Sequence, residues 1–409
     1  MIAFHFPPGK GSSGLQRTLN FARHLPEHGW TPRLLTVMAH AHPAVSDEQL
    51  GDVPADLKIV RAPSLDVARH LAVAGRYPGF LALPDRWSSW KWAAIPMGLA
   101  QCLAWRPHAI WSTYPIATAH VIALRLARLT GLPWIADFRD SMSDDSFPPE
   151  PNKRRSVLRI ERATVDQARV VVFTSPGARR LYAARYPEIP DARWALIPNG
   201  YDEQAFAAAE TSSEQPAATG RPRHLVHSGL LDPVDRDPRP FLRVIAAMKR
   251  AGTITANNLR VTLRATGHNA MYSEFVSQAG IGDIVAIGDV VAYAEALREM
   301  LVADGLLVLQ GPTCNHQTPA KVYEYLRADR PLLALTDKRG DTAALVRAAG
   351  YADDDICDPE SESAIGVALA AFLARLESGT SHRADAAFVR TLSRQHQVGV
   401  LAGILDGVL

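Results

Sequence analysis

Lys321 and Glu324 stand three residues apart in the stretch Thr318-Pro319-Ala320-Lys321-Val322-Tyr323-Glu324-Tyr325-Leu326. Thr318 suits a helix N-cap and Pro319 the first helical position. That spacing puts a cation and a carboxylate on one helix face, one turn from the helix start. Free amides and Lys321 suit phosphate oxygens there, and Glu324 suits two vicinal hydroxyls of a ribose. A surface ion pair explains the same spacing. A second stretch, His227-Ser228-Gly229, ends a strand-like run and is followed by Arg236 and Arg239. Its glycine permits close approach, and an arginine can fork onto a diphosphate; a turn with solvated arginines is the plain alternative. A third, Ala136-Asp137-Phe138-Arg139-Asp140, closes a strand at its carboxyl edge, where open parallel sheets bind ligands. There Arg139 and Asp140 either face a ligand or cap the next segment.

The fourth stretch is Gly9-Lys10-Gly11-Ser12-Ser13-Gly14, a GxGxxG pattern between a strand and a helix. Its amides suit a phosphate, or the glycines make a tight turn. A dinucleotide needs an acid ending the second strand, and Arg33–Val37 is followed by Met38-Ala39-His40 instead. Acidic runs at Asp144-Asp145 and Asp353-Asp354-Asp355 read as solvated loops, and no histidine or cysteine spacing implies a metal. Walker A and GxSxG patterns are missing. Trp87, Trp90 and Trp92 with Arg86 and Lys91 suit either a membrane interface or a half-buried helix start.

These stretches need elements to position them. Strand-like runs at residues 2–6, 33–37, 58–61, 109–113, 133–138 and 169–174 alternate with helix-period segments at 15–28, 116–129 and 154–167. The rhythm repeats with strands at 224–227, 260–265, 284–287, 305–310 and 332–335, and helices at 240–250, 293–301, 319–328 and 342–349. Such alternation implies βαβ units and parallel sheets, one per half. Residues 207–223 hold no large apolar side chain beyond alanine and read as a linker. The chain therefore reads as a domain at 1–205, a second at 206–383, and a last amphipathic segment at 384–409.

Composition bounds the function. The 409 residues are 47% hydrophobic with a net charge of +2, which excludes disorder and a whole-chain nucleic-acid binder. The charge is uneven: residues 1–200 hold 24 basic and 16 acidic side chains, residues 201–409 hold 20 and 26. The basic half suits anionic surfaces such as phospholipid. Three scattered cysteines suit a reducing compartment. No apolar run reaches the ~18 residues of a membrane helix. The expectation is a cytoplasmic protein, peripheral at the inner face of a membrane.

Taken in order, PPGKGSSGLQRTLNFARHL, PDRWSSW, STYPIATAH, ADFRD, IPNGYD, HSGLLDPVDRDPRPFL, TPAKVYEYLRADRPLLAL and GDTAALV resemble a family 4-type retaining glycosyltransferase of the GT-B fold. The resemblance implies two Rossmann-like domains with parallel sheets facing a cleft, and a final helix returning to the first domain. The second domain would take a nucleotide-diphosphate sugar through Gly229, Arg236, His316, Thr318, Lys321 and Glu324. The first would take a hydroxyl acceptor, lipid-linked in one reading, around Gly11, Gly14, Tyr114, His120, Arg139 and Asp140. A front-face mechanism would use Asp140, Arg236 and Lys321 as the catalytic groups, with neither metal nor cofactor. The family often carries Glu-x7-Glu; Glu324 fits the second glutamate, and His316 stands at the first. The expected role is polysaccharide, glycolipid or other glycoconjugate synthesis. A nucleotide-sugar 2-epimerase of the same fold and a non-catalytic nucleotide-sugar-binding module are the alternatives.

Overall fold

A computed structural model describes residues 1–10, 13–144, 147–212 and 220–409. The chain divides into two compact units, Met1–Pro198 with Arg394–Leu409, and Asn199–Ser393. Both bounds differ from the expected 205 and 384. Tyr201 bridges to Ser393, and Tyr201, Val389 and Leu392 share one core. Burial of these side chains ties residues 199–205 and 384–393 to the second unit.

The first unit contains strands β1 (Arg33–Val37), β2 (Lys58–Ala62), β3 (Ile110–Thr113), β4 (Trp134–Phe138), β5 (Val170–Phe173) and β6 (Trp194–Leu196). Its helices are α1 (Ser13–His24), α2 (Trp90–Trp105), α3 (Ala117–Thr130), α4 (Pro151–Gln167) and α5 (Pro176–Arg185). β3, β4, β5 and β6 form a parallel sheet in that order, and β1 pairs with β2. The strand expected at 2–6 contributes a single bridging residue. Ile2 pairs in parallel with both Leu35 and Ser112, so it lies between β1 and β3. Pro7 and Pro8 have no N–H to continue the ladder. Every residue of β4 is buried, as a parallel strand covered on both faces requires.

The second unit begins with α6 (Glu203–Thr211), which occupies the first residues of the expected linker. Asp202 caps it by accepting from the Ala205 amide, and its alanines favour the helix. Residues 213–219 of that linker lie outside the described residues. There follow β7 (Arg223–Ser228), α7 (Arg239–Arg250), β8 (Leu259–Arg264), α8 (Asn269–Gln278), β9 (Val285–Gly288), α9 (Tyr293–Val302), β10 (Gly305–Leu309) and α10 (Ala320–Arg327). After them come β11 (Leu332–Leu335), α11 (Asp341–Ala348), β12 (Ile356–Cys357), α12 (Glu362–Ser378) and α13 (Ala386–Arg390). The strand order is β12-β11-β10-β7-β8-β9, all parallel. The order reverses between β7 and β10, the kind of edge where open α/β sheets place ligands. Helix α14 (Arg394–Asp406) belongs to the first unit. Its Val398, Leu401 and Leu405 share a core with Leu15 and Leu19 of α1. No described helix is long and apolar enough to cross a membrane.

Candidate functional site

At the end of β7 the Ser228 amide donates to Tyr325 Oη at 2.7 Å, which fastens α10 against the strand. Gly229 follows with φ +151°, and a Cβ there would stand 3.5 Å from Lys321 Cγ. That distance is an ordinary contact, so the positive φ and not the space is what calls for glycine here. Lys321 and Glu324 share a helix face as their spacing predicts, with Nζ 2.9 Å from Oε2. Glu324 is buried and Lys321 is half-buried. Tyr293, at the start of α9, donates its hydroxyl to Glu324 Oε1 at 3.0 Å. Lys321 Nζ lies 5.7 Å from the Tyr293 ring. The helix begins one residue later than expected. Pro319 holds the N-cap position in an extended conformation and gives no side-chain cap, so Thr318 lies outside the helix and does not cap it.

Of the two arginines after Gly229, Arg239 is engaged by Asp237 at 2.8 Å. Arg236 makes no ion pair among the described residues, and its buried Nε has no hydrogen-bond partner there. His227 binds the Leu307 carbonyl through Nδ1 at 2.9 Å. Burial holds its pKa down to about 4, and Arg236 and Lys321 push the same way. It is a neutral imidazole between two cations at neutral pH.

The loop from β10 to α10 is held from both sides. Gln310 is buried; its amide donates to the carbonyls of Cys314 (2.5 Å) and Gln317 (3.0 Å). Its carbonyl accepts from Thr342 Oγ1 at 2.5 Å. Opposite, the Gly311 amide donates to the Asp235 carbonyl at 2.6 Å, and Thr313 donates to the Asp235 carboxylate at 2.8 Å. Asp235 precedes Arg236, so this contact also sets the arginine. His316 is half-buried on the same loop, its Nε2 3.3 Å from Gln317 Nε2. Sequence spacing missed Tyr293, Gln310, Asp235 and Thr342, although Thr342 lies within the GDTAALV block. The second unit thus gathers Gly229, Arg236, Lys321 and Glu324 at its switch point. An unpaired arginine, a lysine and uncapped helix amides can hold a diphosphate there, and a buried carboxylate can accept hydroxyls.

In the first unit the glycine pattern serves the protein's own side chains. A Cβ at Gly14 would fall 1.5 Å from Arg139 Nη1, and one at Gly9 would fall 2.7 Å from His42 Nδ1. The close approach expected for a phosphate is taken at these two positions by a guanidinium and an imidazole. Gly11 lies outside the described residues. Arg139 is buried and pairs with the half-exposed Asp140 at 2.9 Å. Its carbonyl accepts from Thr174 at 2.7 Å. His5, which spacing did not single out, adjoins this pair. Burial holds its pKa down to about 4, Arg139 and His42 add to that, and Asp140 opposes it. Asp137, two residues before Arg139, forms a buried fork with Arg17 at 2.8 and 2.9 Å. Arg17 also donates to the carbonyls of Ile197 and Pro198.

Two expected acceptor-side residues belong to the core. His120 is wholly buried, joined through Nδ1 to Ser112 Oγ at 2.8 Å. Burial lowers its pKa to about 3. Tyr114 is buried too, its ring stacked 6.4 Å from that of His120. The Trp stretch is mostly structural. Asp85 accepts from the Thr118 amide and hydroxyl, both at 2.8 Å, and so caps α3 from a distance. Trp87 donates to the Ala41 carbonyl and Trp90 is fully buried, whereas Trp92 is 76% exposed. The run at Asp353–Asp355 is not all solvated: Asp355 is buried, and Arg375 pairs with it and with Asp354 at 2.6 and 2.8 Å. The guanidinium balances the two carboxylates.

Residues 14–200 match the family described as glycosyl transferase 4-like domain. No curated protein matches the chain. Among solved structures, Anabaena HepE in complex with UDP is similar at 12% identity and TM-score 0.65, over 99% of both chains. Sucrose-phosphate synthase from Thermosynechococcus elongatus is similar at 15% identity and TM-score 0.62, over 99% of this chain and 97% of that one. A Listeria monocytogenes protein assigned as a UDP-N-acetylglucosamine 2-epimerase is similar at 10% identity and TM-score 0.59, over 98% and 95%. At these identities the structures speak for the fold alone. With residues 14–200 matching the glycosyl transferase 4-like family and a Rossmann-like sheet in each unit, the chain has the GT-B fold.

Proposed function

We propose that the protein moves a sugar from a nucleoside diphosphate donor to a hydroxyl acceptor, with retention at the anomeric carbon. The observation that carries this reading is the Lys321–Glu324 pair fastened at the end of β7 beside the unpaired Arg236. Arg236, Lys321 and the first amides of α10 hold the diphosphate, and Glu324 accepts the ribose hydroxyls. The acceptor oxygen bonds to the anomeric carbon on the face from which the diphosphate departs. The bond from that carbon to the diphosphate oxygen breaks, and this oxygen takes the acceptor proton. The two cations stabilise its growing charge. Asp140, half-exposed beside Arg139, orients the acceptor hydroxyl. Nothing in this scheme requires a metal or a cofactor. The net +8 of residues 1–200 supports action at the cytoplasmic face of an anionic membrane, on a lipid-linked acceptor in glycoconjugate synthesis.

A thermal-shift panel of UDP-, GDP- and dTDP-sugars tests the donor. A ligand at 100 times its Kd stabilises by about 2.7 kcal/mol. The proton spectrum of the product then reports the anomeric configuration. No shift with any donor, or an inverted product, overturns the reading. The Listeria neighbour supports a second one, a 2-epimerase of the same fold. Donor consumed without acceptor, with release of an epimerised sugar, identifies it.

A further inference from the structure

A cavity of about 470 Å³ in the first unit opens among Leu83, Lys91, Val121, Asn152, Arg155 and Arg159. Its volume falls within the range of about 300–1,000 Å³ usual for small-molecule sites. Three cations line it and no carboxylate does. None of the three is ion-paired among the described residues. Arg155 donates to Asn152 Oδ1 at 2.6 Å, which holds its guanidinium at the cavity. Lys91 Nζ lies 5.2 Å from the ring of Trp92. Arg155 and Arg159 are four apart on α4, a like-charge spacing that opposes the helix unless an anion bridges the pair. The walls also contain aliphatic side chains. Trp92, beside Lys91, is 76% exposed, and Phe80, three residues before Leu83 in the sequence, is 71% exposed. Free phosphate needs the cations but not the aliphatic walls or the rings. An amphiphile needs all of them, because aromatic and basic side chains together suit a headgroup layer.

We infer that this cavity receives the phosphate of a membrane lipid, with Lys91, Arg155 and Arg159 on its oxygens and Trp92 and Phe80 set in the headgroup layer. The inference rests on the membrane reading above and names the surface that performs it. The test is flotation of the full chain with phosphatidylcholine vesicles, with and without phosphatidylglycerol. The wild type is compared with the triple variant Lys91→Gln/Arg155→Gln/Arg159→Gln and with Trp92→Ala. Each basic residue near an anionic surface is worth about fivefold in partitioning, so the triple variant should lose on the order of 100-fold. Trp92→Ala should weaken binding without changing its salt dependence. Unchanged urea midpoints show that both variants are folded. A wild type that ignores phosphatidylglycerol overturns the membrane reading and this inference together. A triple variant that binds like wild type overturns the inference alone, and the membrane reading stands. Full competition by soluble glycerol phosphate makes the cavity a free-anion site and also overturns it.

Discussion

Replacing Glu324 with Gln tests the donor site at its most constrained atom. A carboxylate has about four lone-pair positions. One oxygen of Glu324 accepts from Tyr293 at 3.0 Å, and the other faces Lys321 Nζ at 2.9 Å. Capacity remains for two vicinal hydroxyls. The glutamine keeps the size and one acceptor but loses the charge and turns an amide donor into the site. A hydrogen bond to a charged group is worth about 1.5–3 kcal/mol, so the Kd for UDP should rise roughly 10- to 150-fold. The neutral glutamine removes a buried carboxylate and also breaks its pair with Lys321, so the stability change reads the balance of the two. Calorimetry with UDP and 2′-deoxy-UDP, alongside a urea titration, separates affinity from stability. The penalty should be smaller for the deoxynucleotide, which has already lost one hydroxyl. Equal penalties for the two ligands, or none, would refute the assignment of Glu324 to the ribose.

Four further outcomes are expected. Gly14→Ala drives a Cβ into Arg139 Nη1 and displaces a buried guanidinium, so it should destabilise by about 1–3 kcal/mol; an unchanged urea midpoint would contradict this. Asp140→Asn should lower turnover about 100-fold while calorimetry shows unaltered UDP binding; normal turnover removes Asp140 from the mechanism. Thr342→Val leaves the Gln310 carbonyl without its hydroxyl donor and should cost about 1–3 kcal/mol of stability, measured in urea. It should also weaken UDP through the loop that Gln310 holds, and intact affinity would show that this loop does not matter. Finally, burial holds His5, His42 and His227 at about 4 and His120 at about 3, below the ordinary 6.5. The unfolded chain therefore binds more protons between those values, so stability is whole above about pH 6.5 and falls toward pH 4. His120→Gln should flatten that slope, and a slope equal to wild type would show that His120 does not contribute.

Most strands were legible because parallel strands covered on both faces must be apolar runs, as in Trp134–Phe138 and Gly305–Leu309, whereas the short Trp194–Leu196 and Ile356–Cys357 were not. Helices α8 and α12 were not. Glu362–Ser378 is rich in alanine and lacks a clear apolar stripe, and Asn269–Gln278 interleaves polar and apolar residues. Lys321 and Glu324 could be read from spacing because a helix face is local geometry. Tyr293 and Thr342 could not, since they meet Glu324 and Gln310 across 31 and 32 residues. The Arg17–Asp137 fork spans 120. The GxGxxG pattern is ambiguous for a different reason. A glycine that makes room for a buried arginine looks the same in sequence as one that makes room for a phosphate.

The first unit is interrupted: nearly two hundred residues of the second lie between Pro198 and Arg394. A ribosome therefore starts this unit first and completes it last. Until α14 emerges, the α1 surface around Leu15 and Leu19 lacks Val398, Leu401 and Leu405. The continuous second unit has every residue it needs before then. Synthesis thus runs with a finished later unit and an apolar seam still open on the earlier one, the sort of surface that chaperones hold and that aggregates at high expression. A nonsense codon just ahead of α14 would leave that seam permanently uncovered, at a distance in sequence from the residues proposed to hold the donor.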